Sequence, residues 1–108
     1  MQNTTQPTTE QLVTLILTRA AENLRPHETI THPIGNHEIP NCMTDGWRDI
    51  EVRSATRSVL GNVRGFLRYS TQMSIEKAVW AALPPVAGTV ADYADRLRET
   101  AAIQRIAA

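Results

Sequence analysis

Proline decides where this chain can be regular. All six prolines stand at 7, 26, 33, 40, 84 and 85, and none of them can sit inside a helix without removing a hydrogen bond and clashing with the preceding turn. The stretches they leave open carry apolar residues at helical spacing, whereas 26–40 is too interrupted for a helix. In the first stretch Leu12, Leu15, Ile16, Ala20 and Leu24 recur at intervals of one helical turn. Thr8 followed by Gln11 forms a capping-box pattern, so a helix is predicted over 8–25, stopped by Pro26.

Three more helices follow from the same logic. The second is predicted over 46–69, with Asp45 as cap and Val52, Ala55, Val59, Val63 and Phe66 as its inner face. The third fits 74–83, with Ser74 as cap and Pro84-Pro85 as stop. It shares Trp80 with Ile75, Ala78, Val79, Ala82 and Leu83, which makes it apolar nearly all round and predicts burial between other elements or at a subunit contact. The fourth spans 89–106. Thr89 with Asp92 caps it, and Val90, Tyr93, Ala94, Leu97 and Ala101 turn inward.

The expected fold is therefore mainly α, a small four-helix domain over 8–108, with 1–7 as a disordered polar tail. The 27–43 excursion is longer than the usual helix–helix connection and reads as a long loop or a short β-hairpin. If Pro33-Ile34-Gly35-Asn36 makes the turn, Ile30 faces Ile39, His32 faces His37 and His27 faces Cys42.

At 108 residues and 42% hydrophobic content, one domain can bury about 65% of its unfolded surface and needs no staple. Cys42 is the only cysteine, and the first ten residues lack the basic start and apolar stretch of a secretory leader, so a cytoplasmic setting is expected. The longest early apolar run, Leu12 to Leu17, is far shorter than the ~20 residues a membrane span requires.

Charge is balanced overall, with 11 basic and 11 acidic residues, but it is not balanced locally. No acidic residue lies between Glu51 and Glu76, a segment that holds Arg53, Arg57, Arg64 and Arg68. On one continuous helix those four arginines fall within roughly a 60° arc and make a single positive stripe. Beside it Ser54, Ser58, Gly61 and Gly65 make a stripe of small residues, where another helix could pack closely. Two glycines cost a helix about 2 kcal/mol relative to alanine, so either close packing offsets them or the helix breaks, with Gly61-Asn62 the weak point. Trp47 and Arg48 stand at the junction with the long loop, where a partner could reach them.

Several chemistries are disfavoured. His27, His32, His37 and Cys42 are all competent zinc ligands at a constant spacing of five. A hairpin would divide them between its two faces, and the spacing matches no usual paired-ligand pattern. No flanking pattern marks Cys42 as a nucleophile. The acidic group Asp45, Asp49 and Glu51 is accounted for by the first turns of a helix. None of the glycines belongs to a phosphate-binding loop, and Lys77, the single lysine, falls inside a predicted helix.

The expectation is a non-enzymatic binding protein without cofactor or metal, a regulator or inhibitor of the kind mobile elements encode. It would dock its arginines on an acidic protein or nucleoprotein surface. Direct binding of duplex nucleic acid through the same arginines is the rival, helped by a homodimer because four arginines alone make a thin interface. A small enzyme or metal site in the His/Cys loop is the third reading.

Overall fold

A computed structural model describes residues 8–24, 30–31, 38–39, 43–61, 65 and 67–107. The protein is a mainly α four-helix fold: α1 Thr9–Asn23, α2 Asp45–Gly61, α3 Tyr69–Ala82 and α4 Val90–Ala107. Between α1 and α2 lie two short antiparallel strands, β1 Ile30–Thr31 and β2 Glu38–Ile39, with Ile30 opposite Ile39 and Thr31 opposite Glu38. That is the register the hairpin reading requires. The turn, the three histidines and Cys42 lie outside the described residues, as does the tail 1–7.

Local chemistry explains most helix ends. Thr8 and Gln11 close a reciprocal capping box at α1: the Gln11 N–H donates to Thr8 Oγ1 at 3.1 Å and the Thr8 N–H to Gln11 Oε1 at 2.8 Å. Thr89 and Asp92 repeat it at α4, with distances of 3.1 and 3.3 Å. Two other caps differ from expectation. Thr44, not Asp45, caps α2, accepting from the Trp47 N–H at 3.1 Å; one residue earlier, its hydroxyl reaches the third N–H of the helix, while Asp45 sits in the first turn. Ser74 does not start α3. The helix begins at Tyr69 behind Arg68, and Ser74 donates to the Ser70 carbonyl one turn back.

The largest correction concerns which helix is buried on most sides. It is α1, where Leu12, Val13, Thr14, Ile16, Leu17, Ala20 and Ala21 are all buried and only Leu15, 51% exposed, departs from the predicted inner set. In α3 only Ile75 and Val79 are buried, while Tyr69 and Met73 face outward. Helix α1 packs most extensively on α4, then on α2, then on α3, and those three make few contacts with one another. The inward residues of α4 are Val90, Tyr93, Ala94, Leu97 and Ala101, all buried as expected. On α2 they are Val52, Ala55 and Val59, joined by Thr56 and Leu60; Val63 and Phe66 lie outside the described residues.

The second helix does not run to 69. It ends at Gly61, and Gly61 and Gly65 are both exposed, with nothing within 4 Å of where a Cβ would stand. Among the described residues nothing packs closely enough to offset the glycine cost, and the helix ends at the weak point the sequence marks. Ser54 and Ser58 are also exposed, and Ser58 accepts a 2.8 Å hydrogen bond from Arg19 of α1. Among the described residues, the small-residue stripe is thus not a helix-packing seam.

Gly88 is a different case. Its φ of +73° is left-handed, its carbonyl accepts from the Met43 N–H at 3.0 Å, and an added Cβ would come within 2.9 Å of the Asp92 carboxylate that caps α4. Gly88→Ala is therefore expected to cost about 1–3 kcal/mol, from strained backbone and a disturbed cap. Gly61→Ala, in open space at a helix end, is expected to leave stability equal or raise it by up to about 1 kcal/mol. Thermal or urea melts of the two variants check the contrast.

Candidate functional site

Helix α3 runs beside α2 in the opposite direction, with Arg48 near the start of α2 lying over the Trp80 ring near the end of α3. Because both helices lean on α1 more than on each other, a cleft of about 440 Å³ remains between them. One wall is Arg53, Thr56, Arg57 and Leu60 of α2, residues that share a face at helical spacing. The other is Gln72, Glu76 and Trp80 of α3, spaced one turn apart.

The α2 wall has a buried edge and a wet edge. Thr56 and Leu60 are buried at the base, and the Thr56 hydroxyl is already occupied, donating to the Val52 carbonyl at 2.8 Å. Arg53 and Arg57 are exposed at the rim, and among the described residues no carboxylate lies within 4.0 Å of either. Glu76 is half-buried across the cleft. The groove therefore offers two guanidiniums on one side, a carboxylate and an amide on the other, and an apolar patch from Leu60 and Trp80.

The structure divides the residues that the sequence placed on one stripe. Arg53 and Arg57 are together on α2. Arg68 is the exposed N-cap of α3, on a different element, and Arg64 lies outside the described residues. Trp47 is half-buried against the core. Arg48 is engaged within the chain: its Nε and Nη2 both lie 3.1 Å from Asp49 Oδ1, its Nη1 lies 3.9 Å from Asp45, and its guanidinium sits 5.9 Å from the centre of the Trp80 ring. Its side chain is mostly covered, so this cluster ties the start of α2 to α3 and holds Trp80 in the groove wall. The sequence placed no functional residue on α3. The signal available there was Gln72, Glu76 and Trp80 at four-residue intervals, a polar–aromatic line masked by the reading of α3 as wholly buried.

Behind Arg48 lies Tyr93, fully buried, whose hydroxyl donates to the Pro84 carbonyl at 2.9 Å. Burial pushes its phenol pKa up; the Arg48 guanidinium pulls the other way through its charge and a hydrogen bond, and Asp45 and Asp49 add a smaller upward push. Glu51 on α2 is likewise raised by burial. Among the described residues no group of three or more His, Cys, Asp or Glu side chains is placed to hold a metal ion, and no helix is long and apolar enough to cross a membrane. No family model, curated protein or solved structure matches this chain.

A raised phenol pKa favours the folded state while Tyr93 keeps its proton. Its contribution is complete below the ordinary value of about 10 and is lost as pH climbs through the folded-state value. Stability is expected to fall above about pH 10. Tyr93→Phe should flatten that fall while costing about 0.5–1.5 kcal/mol at pH 7 for the lost bond to Pro84. Urea titrations at neutral and alkaline pH read both effects.

Proposed function

We propose that this is a non-enzymatic binding protein, a regulator or inhibitor that acts by occupancy in the cytoplasm, with the α2–α3 groove as its docking surface. The observation that carries the reading is the pair Arg53 and Arg57. They are exposed, one helical turn apart, on the wall of the α2–α3 cleft, and no carboxylate neutralises them within ion-pair distance among the described residues. Arginine suits bidentate contact with carboxylates. Leu60 and Trp80 at the base supply the apolar contact that gives a small interface its affinity, since buried aromatic and arginine side chains carry most binding energy.

The favoured partner is a protein surface that presents carboxylates beside an apolar side chain. Glu76 on the facing wall is what argues for a protein rather than nucleic acid. A phosphate backbone drawn to the arginines would run past that carboxylate, and the chain carries no net positive charge to compensate.

The double variant Arg53→Glu/Arg57→Glu should melt within about 0.5 kcal/mol of the parent, as exposed substitutions do, and should no longer retain the protein partner that the parent retains from a lysate of the cells that encode it. Equal retention by parent and variant would overturn the reading. Tight binding to random duplex DNA, weakening with a log–log salt slope near −1.8 as about two phosphate contacts require and lost in the variant, would replace it with the nucleic-acid alternative.

A further inference from the structure

The outward face of α4 has the chemistry that the groove is shaped to receive. Asp95 and Glu99 are exposed one turn apart, and Ile103, one turn further, is 64% exposed. With Arg96 these residues fall within roughly a 100° arc. The arc points away from α1, because α4 packs through Val90, Tyr93, Ala94, Leu97 and Ala101 on its opposite side.

On the groove wall Arg53 and Arg57 are also one turn apart, and Leu60 follows. Four residues of helix advance ~6 Å, so the two acidic and the two basic side chains can meet in register when an α4 lies alongside α2 in the same direction. Ile103 then arrives beside Leu60 and the start of α3. There Tyr69, 76% exposed, and Met73 leave apolar surface in water. Arg96, on the other flank of the same arc, turns toward the wall that carries Glu76. Every charged group of the groove would face its opposite. Asp95 already bonds Arg98 at 3.1 Å, but both partners of that pair are exposed, and such pairs are weak enough to exchange.

The α4 of the same chain cannot fill the groove, because it is committed to α1. We infer that the groove takes the outward face of α4 from a second copy of this chain, with Asp95 and Glu99 on Arg53 and Arg57 and Ile103 on the Leu60 end. The inference rests on the groove being an acid-binding surface, and it names the occupant in the absence of any other protein. If both grooves can be filled at once the result is a closed pair; if not, the contact repeats head to tail.

Sedimentation of the full chain across a concentration series, at low and high salt, tests the contact. The expected result is reversible association that salt weakens, since its charge pairs are at the surface. Arg57→Glu and Glu99→Arg should each weaken association at least about tenfold, and the two together should restore most of it, because the pair is recreated with its signs exchanged. Ile103→Asp should weaken association without touching either arginine. Melting curves for each variant show whether it is folded, and the restored double variant keeps the test decisive even if one single variant is unstable. A chain that stays monomeric throughout, or single variants that associate as the parent does, or a double variant that fails to recover, would overturn the inference. None of those results bears on retention of another protein, which Arg53→Glu/Arg57→Glu tests separately.

Discussion

The structure depends on one helix being wrapped by the other three. Helix α1 buries Leu12, Val13, Ile16, Leu17, Ala20 and Ala21, and α2, α3 and α4 each reach the core by packing on it rather than on one another. A fully buried Leu or Ile side chain contributes roughly 1.5–3 kcal/mol through removal from water, so the apolar contacts that hold every element converge on this one. The arrangement carries a local strain in hydrogen bonding: Thr14 is carried into the core on the same helix, and its hydroxyl is buried without a partner among the described residues.

A central helix has a geometric consequence for the surface. Three helices around a fourth need not close against each other, and the gap between α2 and α3 is what remains. Its existence depends on α2 ending at Gly61 and α3 running back beside it. Its shape depends on the Arg48 cluster. Asp45 and Asp49 hold the guanidinium over Trp80, so the aromatic ring forms part of the cleft wall. The positive charge on the cleft wall without an ion-pair partner among the described residues is that of Arg53 and Arg57, because Arg48 is engaged by Asp45 and Asp49.

The helices were largely legible before the structure. The capping pairs Thr8/Gln11 and Thr89/Asp92, the Pro84-Pro85 stop, the inner face of α4 and the Ile30–Ile39 register all follow from patterns confined to a few neighbouring residues. The burial of whole helices was not legible, because the deciding contacts are distant in sequence. Periodicity alone made α3 look buried all round and gave α1 one apolar stripe. Burial, however, depends on how many neighbours a helix has, and no property of its own sequence counts them. The arginine stripe failed for a similar reason: four residues at helical spacing share a face only if one helix contains them all, and a break inside the segment separated Arg68 from Arg53 and Arg57.

What the sequence by itself determined is what short-range chemistry controls: four helices, the capping pairs of α1 and α4, the Pro84-Pro85 stop, the hairpin register, and a segment rich in arginine and free of acid between Glu51 and Glu76. Only the tertiary structure decided that α1 lies at the centre, that Arg48 sits over the Trp80 ring, and that Gln72, Glu76 and Trp80 stand across a cleft from Arg53 and Arg57. Hydrogen bonding within a turn is settled by residues three or four apart. Which surfaces meet and which stay open is settled by the packing of whole helices, and the groove belongs to that second level.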